Sequence, residues 1–158
     1  MDASKRRFLR GGRITKELRP PWLLAPTTFT DACTRCGKCI NLCAEHILVV
    51  GDAGFPLVEF GLGECTFCGD CGSECEADLF HTDRSSASEA WRHKAVVSDA
   101  CLAARGVMCR SCEDACEPQA IRFPLVAGKV PGPVIDAKAC TGCGACLRHC
   151  PEQAIALL

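Results

Sequence analysis

Tyrosine is absent from this sequence, and aromatic residues occupy only 6% of its 158 positions. A chain this short with so few large side chains has little material for an apolar core, so something besides hydrophobic burial must help hold it together. No run approaches the roughly 18 apolar residues of a membrane-spanning helix, which excludes a helical span. No Gly-rich loop of the P-loop or dinucleotide-binding type is present, which removes the usual phosphate-cradling functions. Serines cluster near residues 85–88 without a His/Asp partner pattern, so hydrolytic catalysis lacks its parts. The basic residues concentrate in one short segment without interleaved aromatics, which argues against a nucleic-acid surface.

A secretory leader is not recognisable either. Arg6 and Arg7, followed by Phe8 and Leu9, superficially resemble a twin-arginine export signal, but residues 10–19 carry too much charge for an apolar region and no small-residue cleavage site follows. The expectation is a reducing, cytoplasmic compartment, in which cysteines stay as thiols or bind metal. The formal charge of -1 hides an asymmetry. Up to residue 30, Lys5, Arg6, Arg7, Arg10, Arg13, Lys16 and Arg19 face only Asp2 and Glu17, while residues 31–158 are net acidic. The segment has two readings, a solvated tail or a contact for an acidic surface.

What the chain has in excess is cysteine, 16 residues in all. They follow one grammar. CTRCGKCINLC supplies Cys33, Cys36, Cys39 and Cys43; CTFCGDCGSEC supplies Cys65, Cys68, Cys71 and Cys75; CTGCGACLRHC supplies Cys140, Cys143, Cys146 and Cys150. Each reads C-x2-C-x2-C-x3-C, the ligand run of bacterial [4Fe–4S] ferredoxins, and the last is completed by Pro151. The remaining set departs from it: Cys101 is separated by seven residues from Cys109, after which Cys112 and Cys116 resume the pattern. For Cys101 two readings stay open, a cluster ligand or a buried free thiol.

A thiolate every third residue lets a loop curl round one corner of a cubane, and glycines at 37, 69, 142 and 144 permit the turn. The x3 step then carries the fourth cysteine away, and in two-cluster ferredoxins it ligates the other cluster. The assignment expected is therefore crossed. Cys33, Cys36, Cys39 and Cys75 hold cluster I; Cys65, Cys68, Cys71 and Cys43 hold cluster II; Cys101, Cys109, Cys112 and Cys150 hold cluster III; Cys140, Cys143, Cys146 and Cys116 hold cluster IV. Structural zinc uses paired C-x2-C knuckles across a longer spacer and has no use for a third cysteine at x2 and a fourth at x3. A disulfide framework belongs to small secreted domains.

Four thiolates per cluster leave no open iron for substrate, so the chemistry expected is one-electron transfer and the protein is not an enzyme in its own right. The C-x3-C-x2-C triplet of radical chemistry with S-adenosylmethionine is missing. Of His46, His81, His93 and His149, only His149 adjoins a cysteine, and it reads as a surface or supporting residue.

The fold expected is α+β: two tandem bacterial 2[4Fe–4S] ferredoxin-like units with short helices and β-hairpins, plus an N-terminal basic arm. Residues 1–30 are the proline-containing arm, whose Trp22, Leu23 and Leu24 are expected to pack on this chain's own body. Residues 31–82 form the first unit, with HILVV and PLVEF flanking a turn as a hairpin. Residues 83–98 are a connector with one helical turn. Residues 99–158 form the second unit, with AIRF and PVI as its hairpin and AIALL as its closing strand. Units this small need their clusters to fold, so the iron-free chain is expected to be largely unfolded.

Beyond the quartets, the chain resembles the NapF family of ferredoxin-type proteins, accessory to the periplasmic nitrate reductase system, over nearly its whole length. The likeness rests on SKRRFLRG near the start, RPPW at Arg19 to Trp22, ACLAARGVMCRSCEDACEPQAI from Ala100 to Ile121, and TGCGACLRHCPEQAI from Thr141 to Ile155. The stretched x7 spacing is a feature of that family, which implies that Cys101 is a ligand. The resemblance further implies a cytoplasmic protein with four [4Fe–4S] clusters that associates with the catalytic subunit of periplasmic nitrate reductase before its export and supports its maturation, with the basic arm as one contact. The other reading is an electron-carrying subunit or carrier of a multi-subunit oxidoreductase. Ala44 and Glu76 stand where ferredoxins commonly place proline, and Pro118 comes one place late, which puts helix-end geometry in question.

Overall fold

The computed structural model describes residues 17–25 and 27–158. The basic residues from Lys5 to Lys16 lie outside them, so the expected arm is represented by Arg19 alone among its cations. The helices are single turns: α1 (Phe29–Ala32), α2 (Lys38–Asn41), α3 (Asp70–Ser73), α4 (Ala87–Ala90), α5 (Ser111–Asp114) and α6 (Ala145–Arg148). Three of these start in the same way. Gly37, Gly69 and Gly144 precede α2, α3 and α6 with φ of 75°, 83° and 89°, a left-handed turn that glycine takes without the steric cost of a Cβ.

The backbone repeats more faithfully than the side chains. Three residues after the fourth cysteine of each quartet, His46, Asp78, Gln119 and Gln153 all take positive φ, between 48° and 54°. Each donates its N–H to that cysteine's carbonyl at 2.9–3.2 Å. The turn is therefore the same whether proline follows the cysteine, as at Pro151, or not, as at Ala44 and Glu76. Non-glycine residues in this region carry local strain, and its recurrence at all four quartets marks a geometry that the surroundings impose.

Among the described residues, six short strands make three antiparallel pairs. β1 (Leu48–Val50) and β2 (Pro56–Val58) form the first hairpin in register Leu48↔Val58, and β4 (Ile121–Arg122) pairs with β5 (Val134–Ile135) as the second. The closing strand β6 (Ile155–Leu157) pairs with β3 (Ala95–Val97), which lies within the expected connector 83–98. The first half has a vestige of the same pairing, an isolated bridge between Leu23 and Phe80. The segment before the first quartet thus plays there the part that β3 plays in the second half.

That role buries it. Pro20 is fully buried, and Trp22 and Leu23 are 3% and 8% exposed, whereas Leu24 is 53% exposed and does not pack as expected. Residues 19–22 and the connector grip each other reciprocally. Trp22 N–H donates to Ala90 C=O at 2.8 Å, Trp22 Nε1 to Ser86 C=O at 3.2 Å, and Trp91 Nε1 to Arg19 C=O at 2.9 Å. Edge-on contacts link Trp22 to Phe67, Phe67 to Trp91, and Trp91 to Phe60 at 5.8–6.0 Å, so four of the few aromatic residues are concentrated at one seam. Elsewhere the core includes Phe29, Phe80, Phe123, Ile47, Leu48, Ile121 and Ile155 beside four buried cysteines, Cys71, Cys112, Cys140 and Cys146.

Candidate metal centres

All sixteen cysteines are free thiols, and the fold gathers them into four groups of four. Cavity I is bordered by Cys33, Cys36, Cys39 and Cys75. Cavity II is bordered by Cys65, Cys68, Cys71 and Cys43. Cavity III has Cys101, Cys109, Cys112 and Cys150, and cavity IV has Cys140, Cys143, Cys146 and Cys116. In every case three cysteines of one loop meet the fourth cysteine of a different loop. The cavities measure from about 320 to about 420 Å³ out to their mouths, and their other lining is mainly apolar. Among the described residues no three His, Cys, Asp or Glu side chains close on the spacing of one metal ion. The thiols border a volume, the arrangement suited to a polynuclear centre.

The single-turn helices produce the crossing. Cys39, on α2, lines cavity I, and Cys43, just past its end, lines cavity II; on α3 and beyond it Cys71 and Cys75 do the reverse. Cys112 and Cys116 divide between cavities III and IV in the same way, and Cys146 and Cys150 again reverse the order. The seven residues between Cys101 and Cys109 fold into compact turns. Arg105 N–H donates to Cys101 C=O at 3.1 Å and Val107 N–H to Leu102 C=O at 2.9 Å, while Ala103 tucks in at 4% exposure. The chain then returns to Cys109, with Cys101 on the same cavity wall.

The thiols are held in a state that metal would relieve. Burial pushes Cys65, Cys71 and Cys146 up to about 12, and in all three the other cysteines of the same cavity add to the effect. Burial likewise raises Cys39 and Cys112 to about 11. Thiolates crowded into an apolar cavity need a cationic centre between them. Donors that would serve a bound thiolate are already placed. Phe67 N–H donates to Cys65 Sγ at 3.4 Å, and Ala120 and Ala154 N–H donate to Cys116 and Cys150 Sγ at 3.2 Å each. The buried Thr141 hydroxyl has no well-formed hydrogen bond in this structure, although it lies close enough to Cys143 to favour that residue's thiolate. Cys36 differs: it is exposed, and the Lys38 N–H holds its thiol below the usual value. The residues present fit [4Fe–4S] clusters by donor set, grouping and second hydrogen bonds.

Cation placement distinguishes the cavities. Lys94 Nζ donates to Cys140 C=O at 2.6 Å, which sets a positive charge on the loop of cavity IV. At cavity I, Lys38 is engaged by Glu76 at 2.5 Å on the surface, so the residue that replaces the usual proline makes a bridge between loops. His149 is exposed at the end of α6, in accord with its surface reading. The histidine that sequence reasoning passed over is His93. Its ring stacks on Trp91 with centroids 4.9 Å apart, and Nε2 lies 3.2 Å from Gly142 C=O, between Cys140 and Cys143. Burial holds it below its usual pKa. The one hint in the sequence was Trp91, two residues before it at the end of a Ser-rich stretch.

Residues 107–154 match the 4Fe-4S dicluster domain. The chain is 40% identical over 157 residues to the ferredoxin-type protein NapF of Escherichia coli K12, covering 98% of this chain and 94% of that protein. It is 42% identical over 165 residues to NapF of Haemophilus influenzae, covering 97% and 92%. A more distant relative is the methylamine utilization ferredoxin-type protein MauM of Methylophilus methylotrophus, at 31% identity over 166 residues, covering 94% of this chain and 74% of that protein. With its cysteine quartets, short helices and antiparallel hairpins, the chain belongs to the NapF family of ferredoxin-type iron–sulfur proteins.

Proposed function

We propose that the protein holds four [4Fe–4S] clusters in two tandem ferredoxin-like units, with the crossed ligand sets Cys33/Cys36/Cys39/Cys75, Cys65/Cys68/Cys71/Cys43, Cys101/Cys109/Cys112/Cys150 and Cys140/Cys143/Cys146/Cys116. The observation that carries this reading is the grouping of sixteen free thiols about four cavities, with none left over. Bound clusters supply one-electron transfer at potentials set by hydrogen bonds and nearby charge. The chain's own part is to present four thiolates per cavity, to donate the N–H bonds at Cys65, Cys116 and Cys150, and to keep the cavity walls apolar. With four protein thiolates per cluster, the protein is an electron-transfer or assembly partner and leaves catalysis to others.

The biological role we infer is that of a cytoplasmic protein that binds the catalytic subunit of periplasmic nitrate reductase before export and supports its maturation. Its support is the family membership, since the NapF relatives span the same length. Among the described residues no helix is long and apolar enough to cross a membrane. The unit boundary we propose lies in the connector near residues 83–94, since β3 pairs with the end of the second half. Anaerobically purified protein should carry about 16 iron and about 16 acid-labile sulfide per chain. It should capture the precursor of the nitrate reductase subunit from cytosol, and its loss should leave that enzyme exported but inactive. Export of a fully active enzyme in its absence would leave the electron-carrier reading.

A further inference from the structure

We propose that the four cluster sites form one continuous path in the order I–II–IV–III, and that Phe60, seated on Gly144, is the positioning residue that closes its central junction. The inference rests on the cluster assignment above and adds an order and a contact to it.

Within each half the helices set the neighbours. Third and fourth cysteines are four residues apart, about 6 Å of helical rise, and they border different cavities, so I adjoins II and III adjoins IV. The link between halves is made by ligand residues themselves. Cys65 N–H, of cavity II, donates to Cys143 C=O, of cavity IV, at 2.9 Å. Among the described residues this is the one backbone hydrogen bond between residues 31–82 and residues 99–158.

Two glycines allow the approach. Phe60, 4% exposed, belongs to the first half, and a Cβ on Gly144 would overlap its ring. A Cβ on Gly142 would meet the His93 imidazole at 2.8 Å. Phe60, Trp91 and His93 pack in sequence, so the loop that carries Cys143 is clasped on both sides of that residue. Passage of an electron across the junction oxidises one cluster and reduces its neighbour, with no bond or proton involved. Cavities I and III become the two ends of the path, while exposed cysteines lie at both I (Cys36) and II (Cys68).

The test is spin–spin interaction in the dithionite-reduced full chain, read by continuous-wave and pulsed dipolar electron paramagnetic resonance beside an iron count. The wild type should require an interaction between the halves as well as within them. Phe60→Ala and Gly144→Ala should weaken the component between halves and leave the splitting within halves, with iron near 16 per chain. Phe60→Leu, which keeps an apolar wedge, should restore most of it. If Gly144→Ala fails to load iron, the two Phe60 variants carry the comparison. A wild-type spectrum fully described by two isolated pairs, at full iron content, overturns the junction while the cluster assignment survives. Protein that binds no iron overturns both.

Discussion

Replacing Cys33 and Cys75 together by alanine should cost one cluster, because both line cavity I although 42 positions separate them in sequence. Each single substitution leaves that site with three thiolates, and the second removes a ligand from a site already compromised. The losses are then far from additive, as expected for groups acting on one unit. Cys65→Ala with Cys75→Ala is the contrasting pair: Cys65 lines cavity II, so two sites are damaged. From about 16 iron per chain, the first double variant should retain about 12 and the second about 8, since each cubane holds four irons. Iron and sulfide assays on anaerobic preparations read these values directly. A cluster short of one iron, kept at a site with three thiolates, raises the second variant's count alone, and its own electron paramagnetic resonance signal identifies it. The reverse order, 8 for Cys33/Cys75 and 12 for Cys65/Cys75, would mean that each loop keeps its own fourth cysteine, and the crossed assignment would fall.

The other predictions concern stability and the N-terminal segment. Trp22→Ala removes a 3%-exposed indole that contacts Phe67 and bonds to Ser86, and should destabilise the protein by about 3–5 kcal/mol, seen as a lower urea midpoint for loss of cluster absorbance. Lys38→Ala breaks an ion pair whose side chains are 43% and 77% exposed, and that midpoint should barely move. Removal of residues 1–16 should leave iron content intact and weaken capture of the reductase precursor, whereas removal of 1–30 takes Pro20, Trp22 and Phe29 and should cost iron as well. Stripping iron should abolish the cooperative melt, and any residual helix signal should decay as pH rises above about 9. Unfolded thiols ionise near 9.0 while burial keeps Cys65, Cys71 and Cys146 protonated to about 12, so between those values the folded chain holds more protons and stability falls with pH. A pH-independent signal would contradict that linkage.

The grouping of cysteines about cavities was legible because spacing is a local property: three cysteines at x2 steps line one cavity, and the x3 step carries the fourth to another. The hairpins were legible from alternating apolar runs around a turn, as at HILVV and PLVEF. What escaped was everything that depends on two distant segments meeting. Residues 95–97 carry no sign that they pair with 155–157, and Leu23 none that it bridges to Phe80, because strands of one to three residues have no periodicity to read. His149 drew attention by its place beside Cys150, yet it is exposed, while His93 lies 49 positions from Gly142 in sequence and touches it in space. The glycines sharpen the point. At Gly37 a Cβ would meet nothing within 4 Å, so that residue answers only to its own backbone turn, the reason sequence can supply. At Gly144 the same left-handed turn is needed and the Phe60 ring also fills the space, so one residue type satisfies a local and a long-range demand that look identical in sequence. Four copies of a ligand motif therefore specify four cages, and the few aromatic side chains, placed where the copies meet, decide which cages become neighbours.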